Sequence, residues 1–550
     1  MNRKVRLYVL VMMFPFCTFA QKNADSIISS YNIIPKPVSV SVLTGKNILV
    51  NKSTIIYSGE HFADQAAYLK KQIQDQCGLE LPVQLSPTAK GKSSSIVLKY
   101  DTISINKPEM YLLSIRNNRL VIKAKDVPGV VHGIETLLQL LPLHVIKNVS
   151  ISPLAIVDYP RFVYRGMHLD VSRHFFPVDY IKRYIDYLTF YKFNTFHWHL
   201  TDDQGWRIQI NSYPKLTQVG AWRDSTLVGH FRDKPTRFDG IRYGGFYTHE
   251  DIRKVIKYAA IRGITVIPEI DIPGHSRAII ASYPEFSTNP DTTFDVATSP
   301  GMYNWKNNVL APNEKTFAFL KAVFNEITDL FPSPYIHIGG DECSHKWWKA
   351  DPKTQDFMKE HGIGNETALQ TYFMQQVIED LKLKGKKVIG WDEILEGGLD
   401  TSAIIMNWRG VKAAIQAAKE KHHVIMSPSG YTYFNFSQTK NEDSLTQGGY
   451  LPLNKVYDFD PIPEVLDSLE EKYILGAQGN VWTEYIANKA KLEYMIFPRM
   501  TAFSEALWTA ADKKDFNDFK RRLKDNAIPR YQFWKSNYFK NYESPESGKK

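Results

Sequence analysis

The chain has 550 residues, 43% of them apolar and 23% charged, a balance that excludes a disordered or fibrous protein and allows two or three domains with a sizeable core. Its formal charge of +10 is scattered rather than gathered in basic runs, which leaves nucleic-acid binding without support. Three cysteines without metal-ligand spacing exclude both a disulfide framework and a cysteine-held metal.

The N-terminus, MNRKVRLYVLVMMFPFCTFAQK, places Arg3, Lys4 and Arg6 before an apolar run from Leu7 to Phe16 and ends in Thr18-Phe19-Ala20, which resembles a small-residue cleavage site. Residues 1–20 are therefore expected to be a secretory signal of an exported protein, periplasmic or extracellular. The apolar run is too short to span a bilayer, and Phe14-Pro15-Phe16 lacks the small residues expected before a lipidated Cys17. No later segment approaches spanning length, so no stable membrane span is expected.

Residues 30–157 mix short strands and helices. SIRNNRLVIKA alternates around Asn117-Asn118 like a hairpin, and Val130 to Leu141 carries apolar residues at helical spacing. This region is expected to be a small α+β domain.

From Tyr164 short apolar runs alternate with amphipathic helices. The runs are RGMHLD (165–170), NTFHWHL (194–200), ITVIPEI (264–270), YIHIGG (335–340), KVIGW (387–391), AIIMNW (403–408), HVIMSP (422–427) and ILGAQGNVW (474–482). Thr248 and Asp251 form a capping pair ahead of one intervening helix. Eight strands, each followed by a helix, predict a (β/α)8 barrel over residues 158–512, and residues 513–550 should form a helical segment and polar tail. The fold class is thus α/β: a (β/α)8 catalytic barrel preceded by a small α+β domain.

Barrel sites lie at the C-terminal ends of the strands. Asp170, His199, Glu269, Trp391, Trp408 and Trp482 are expected there, as are the adjacent carboxylates Asp341 and Glu342. Long connections after the second run (201–247) and the seventh (428–473) point to functional loops. Trp391, Trp408 and Trp482 could line a pocket for an apolar-faced ring, since barrel cores are usually filled by branched aliphatics. His197 and His199 lie two apart, on one side of a strand, as in metal-dependent amidohydrolases; that reading needs further ligands at later strand ends, where the sequence offers Trp. The acidic pair after an apolar strand and two glycines suits coupled titration and general-acid work.

The block VSRHFFPVDYIKRYIDYLTFYKFNTFHWHLTDDQGWR, together with PEIDIPGHS, HIGGDE, GWDE and GNVWTE, resembles the family-20 glycoside hydrolases, the β-N-acetylhexosaminidases, over roughly residues 30–510. The resemblance implies an exo-acting retaining hydrolase of terminal GlcNAc or GalNAc that needs no metal or other cofactor. It implies substrate-assisted catalysis, outside the usual two-carboxylate scheme. Glu342 would then be the general acid and base, and Asp341 would orient the 2-acetamido group and stabilise the oxazolinium. Tyr433 would hydrogen-bond the acetamide oxygen, and Trp391, Trp408 and Trp482 would wall the sugar pocket. Arg173 and Glu484 would bind the non-reducing hydroxyls, with Asp202 and His275 behind the acid. Asn435 stands where members of the family can carry Asp, and Cys343 is expected to pack. The contrasting expectation on the same fold is a catalytically silent carbohydrate-binding protein. The partner in either case is a glycan ending in β-linked GlcNAc or GalNAc.

Overall fold

The computed structural model describes residues 31–86, 94–398 and 400–543, so the leader-like residues 1–20 and the tail 544–550 lie outside the described residues. Eight parallel strands close a barrel in chain order: Tyr164–Asp170, Thr195–His199, Thr265–Ile272, Tyr335–Gly339, Lys387–Trp391, Ile404–Asn407, Val424–Met426 and Ile474–Gly479. All eight apolar runs become these strands. They read as near-continuous apolar runs because one face meets the barrel interior and the other meets helices. Helices Val178–Phe190, His249–Ile261, Glu314–Leu330, Glu366–Leu383 and Val411–Lys419 supply that outer cover. The second opens on the expected capping box, in which the Asp251 N–H donates to Thr248 Oγ1 and the Thr248 N–H donates to Asp251 Oδ2.

Two details depart from expectation. The fifth strand is followed by the 3-10 helix Asp392–Gly397 alone, not an α-helix, because the short segment from Asp392 to Ala403 leaves no room for a full helical crossover. The third strand runs on to Ile272, so Glu269 is not at the mouth but wholly buried inside the barrel. Asp170, His199, Glu269 and His337 are register partners across four adjacent strands. The interior therefore holds a polar layer where branched aliphatics are usual.

The small domain is a seven-stranded mixed sheet covered by helices Ala63–Cys77 and Val127–Leu140. The predicted hairpin pairs Tyr111–Arg116 with Arg119–Ala124, and Asn117 and Asn118 turn it with φ of 52° and 62°, the left-handed pair of a type I′ turn. This domain grips the barrel at the N-terminal ends of its strands. Buried Lys192 donates to Asp158 Oδ2 at 2.8 Å, Trp508 donates to Asp158 Oδ1 at 2.8 Å, and Arg165 pairs with Glu109. Helix Phe516–Arg522 adds a buried bidentate pair, Arg522 to Glu505, with both contacts at 2.7 Å. The opposite, C-terminal mouth stays free. Among the described residues, no helix is long and apolar enough to cross a membrane.

Candidate active site

The fourth strand ends in Gly339 and Gly340, with φ of 68° and 100°. A Cβ on Gly339 would sit 1.7 Å from Asp271 Oδ1, so glycine is needed both for the left-handed turn and for the close approach. The turn lifts Asp341 and Glu342 onto the barrel mouth. Glu342 itself holds φ 43°, a strained angle for a residue with a side chain.

Behind the pair stands His275, also left-handed at φ 48°. Its Nε2 lies 3.5 Å from Glu342 Oε2 and 3.7 Å from Asp341 Oδ2, and its Nδ1 lies 3.0 Å from Asp202 Oδ1. Burial disfavours the imidazolium, yet Asp202 and Asp341 outweigh it and hold His275 well above its usual range. The facing His275 lowers Glu342, against the opposing effect of burial. Asp341 is pushed up to about 6, first by burial and then by the charge of Glu342, with His275 resisting. It is therefore ionised at neutral pH but titrates close to it.

Asp202 also accepts from the Asp203 N–H at 2.6 Å and meets Arg173 Nη2 at 2.7 Å. Arg173 is set by Asp170, which accepts from the Arg173 N–H, the Ser172 N–H and both donors of Thr483. One carboxylate thus ties the Arg173 loop to the loop that carries Glu484. Arg499 performs the same service for the long loop after the seventh strand, donating to the carbonyls of Phe434, Phe436 and Leu451. That loop brings Tyr433, Asn435 and Gln447 to the mouth.

These residues enclose a pocket of about 320 Å³, lined by Arg173, His275, Asp341, Glu342, Trp408, Ser429, Tyr433, Asn435, Phe436, Gln447, Trp482 and Glu484. That volume is at the small end for a ligand site. Wider clefts of about 580 and 600 Å³ elsewhere contain none of the candidate residues. Trp408 and Tyr433 lie nearly parallel, 18° apart, and Trp482 packs under the Arg173 guanidinium at 5.0 Å. Four oxygens at the pocket have no hydrogen-bond partner within the protein: Asp341 Oδ1, Asn435 Oδ1, Gln447 Oε1 and Glu484 Oε2. Buried acceptors of this kind are costly unless something donates to them. Burial pushes Glu484 up to about 7, with Arg173 resisting.

The structure brings Arg173, Tyr433, Asn435, Trp408, Trp482, Glu484, Asp341, Glu342 and His275 to one cavity, with Asp202 one contact behind. Trp391 is placed differently, being 1% exposed and outside the lining. It packs against Trp482 at 5.8 Å, and its Nε1 donates to Glu269. Cys343 is buried, and its thiol is pushed up by burial.

Three contributors escaped the sequence reading. Asp271 is pushed well above the usual carboxylate value by burial and by the charge of Asp341. Alternation signals it, since it lies two residues beyond Glu269 and on the same face. Glu393, in GWDE, accepts the Trp408 indole N–H at 2.9 Å and is raised to about 9, chiefly by burial. Gln447 sits in irregular chain with no periodicity to mark it.

Two carboxylate-histidine triplets at the mouth, Asp202/Asp203/His275 and Asp271/His275/Asp341, are close enough to share an ion. Arg173 and His275 already balance Asp202, and burial disfavours the charged form of Asp271, so this donor set suits proton handling better than metal binding. In the interior triplets built on His199 or Glu269 the carboxylates already face imidazoles: Glu269 meets His197, His199 and His337, and Asp202 meets His199.

The model described as "Glycosyl hydrolase family 20, catalytic domain" matches residues 162–511, and "Glycosyl hydrolase family 20, domain 2" matches residues 30–159. A β-hexosaminidase of Porphyromonas gingivalis is 40% identical over 515 residues, covering 92% of this chain and 64% of that protein; the chain thus spans under two thirds of that relative's length. A β-hexosaminidase of Vibrio furnissii is 38% identical, covering 86% of this chain and 76% of its own. Among solved structures, an exo β-N-acetylglucosaminidase of Vibrio harveyi in complex with N-acetylglucosamine superposes with a TM-score of 0.81 at 34% identity, covering 92% of this chain and 78% of that one. A β-N-acetylhexosaminidase of Bacteroides fragilis gives 0.75 at 27% identity, covering 92% and 96%.

Proposed function

The chain belongs to glycosyl hydrolase family 20, and from that premise we propose that it is an exo-acting, retaining β-N-acetylhexosaminidase that uses its substrate's acetamide as nucleophile. The observation that carries this reading is the acidic pair beside a small pocket rimmed by four unpartnered oxygens. A sugar's hydroxyl and amide hydrogens are the donors such acceptors require.

The terminal sugar lies against Trp482 and Trp408, and Arg173, Glu484, Asn435 and Gln447 take up its hydroxyls. The acetamide carbonyl oxygen attacks C1 while the bond from C1 to the glycosidic oxygen breaks. Asp341 accepts the amide N–H and stabilises the positive charge that develops on the oxazolinium. Glu342, whose side chain stays 45% exposed toward the mouth, protonates the departing oxygen. The source of that proton is His275, whose cationic form faces Glu342 in the unliganded site. Glu342 then takes a proton from water as that water opens the oxazolinium, which returns the β product. Export, suggested by residues 1–20, belongs to the same proposal.

The test is purified protein on an aryl β-GlcNAc glycoside and on long chitooligosaccharides. Release of single sugars from the non-reducing end supports the reading. Binding without turnover favours a silent lectin, and mid-chain fragments as first products overturn exo action.

A further inference from the structure

The network behind the acid does not stop at Asp202. His199 Nε2 lies 2.9 Å from Asp202 Oδ2, and His199 Nδ1 lies 2.5 Å from Glu269 Oε2. Ionised carboxylates only accept hydrogen bonds. A ring with a carboxylate oxygen at each nitrogen therefore carries both protons.

Glu269 is fully buried in the barrel. Its Oε1 accepts from Trp391 at 2.9 Å and lies 3.0 Å from His337 Nδ1, and its Oε2 lies 3.0 Å from His197 Nε2. Around His199 stand the edge of Trp482 at 4.9 Å and His168 at 5.6 Å. The other charged or titratable groups in reach are Asp271, clustered with His199 and Asp202, and Arg173 on the same Asp202 oxygen. Hydrogen bonds thus link Glu269, His199, Asp202 and His275 from the barrel interior to the mouth, and His275 faces the acid Glu342 across 3.5 Å.

We propose that Glu269 and His199 are positioning residues, a buried ion pair that fixes Asp202 and sets how tightly His275 and the Glu342 it faces bind a proton. The inference rests on Glu342 being the acid. A neutral donor in place of His199 would suffice to orient Asp202. The barrel instead keeps a cation there, at a desolvation cost that a packed aliphatic layer would avoid, and a cation also offsets the field of Asp202 on His275. The two carboxylates outweigh burial in holding His199 well above its usual range, and its neighbouring histidines hold Glu269 well below its own.

The charges make the test specific. Wild type has a neutral pair, Glu269 negative and His199 positive. His199→Gln leaves a net negative charge, so His275 and Glu342 should bind their proton more tightly. A unit charge acting over about 8 Å at an effective dielectric near 20 moves a neighbour by about 1.5 pH units. Adding Glu269→Gln removes that net charge again.

The experiment is the pH profile of kcat/KM on an aryl β-GlcNAc substrate, with thermal unfolding to confirm folding. For His199→Gln the basic limb should rise by about 1.5 pH units, with kcat lowered more than KM is changed. In His199→Gln/Glu269→Gln the limb should move back toward wild type. A limb unmoved in folded His199→Gln, or a double variant whose limb lies farther out than that of the single, would overturn the proposal. Should His199→Gln not fold, Glu269→Gln decides it: that variant leaves the His199 cation unopposed, so a downward shift of the basic limb supports the pair, and a limb that is unmoved or rises overturns it. Wild type is assayed in parallel, and its failure to hydrolyse the substrate would sink the functional reading itself, separately from the ion pair.

Discussion

His275 and Glu342 face each other from two left-handed backbone positions, with Nε2 3.5 Å from Oε2. Strain of roughly 1–3 kcal/mol at such a residue persists only where its surroundings over-determine it. Here Asp202 anchors one partner and the Gly339-Gly340 turn aims the other. Replacing Glu342 by Gln keeps the shape and removes the proton donor, so a loss of about 10²- to 10⁴-fold is expected. The loss should fall on natural disaccharides, whose alkoxide leaving group needs the proton, and much less on an activated aryl glycoside. Initial rates on both substrates check this, and equal losses would show that Glu342 is not the acid.

Glu484 offers an unpartnered Oε2 to the pocket. Assayed above about pH 7, where Glu484 is ionised, Glu484→Gln should lower kcat/KM by about 1.5–3 kcal/mol, the scale of a hydrogen bond to a charged group. Gln447→Ala, which removes a neutral acceptor, should cost about 0.5–1.5 kcal/mol. Steady-state kinetics on an aryl β-GlcNAc would rank the two, and a larger loss at Gln447 would contradict the charge argument.

Cys343 follows the acidic pair but is buried with its thiol pushed up. A thiolate is the reactive form, so thiol reagents should leave activity intact at neutral pH. Cys343→Ser should retain turnover within a few-fold. Rapid inactivation by iodoacetamide, with protection by product, would contradict this assignment.

The barrel was legible because its strands are buried on both faces and stand out as apolar runs between amphipathic helices. The pocket residues closing or following those strands came with them. What escaped was set by three-dimensional pairing. Glu269 looked like a strand-end residue, yet the third strand continues to Ile272 and carries it into a polar layer with His199 and His337. Trp391 ends its strand as expected, but its indole N–H turns to Glu269 and takes it out of the pocket wall. Gln447 lies in irregular chain held by Arg499, and no periodicity in the sequence marks such a contact.

Asp341 sits beside Glu342 because the two carboxylates do different work at one C1 atom. As the acetamide oxygen attacks, its nitrogen gains positive charge, and a carboxylate accepting that N–H is worth more in the transition state than in the ground state. Asp341→Asn should therefore lower kcat by about 2.7–4 kcal/mol, the scale of deleting one such electrostatic partner, with little change in KM. Burial raises Asp341 to about 6, so wild-type activity should fall as pH drops through about 6 and the carboxylate gains its proton. In Asp341→Asn that acid limb should flatten, because no proton is left to gain. A β-glucoside lacks the acetamide, so wild type should cleave it very poorly and the Asp341 substitution should scarcely matter. The measurements are pH profiles of both proteins on an aryl β-GlcNAc, rates on the matching β-glucoside, and the anomer first released, followed by NMR. Efficient glucoside cleavage, or an α anomer as the first product from the GlcNAc substrate, would end the substrate-assisted account, since the oxazolinium route needs the acetamide and returns the β configuration.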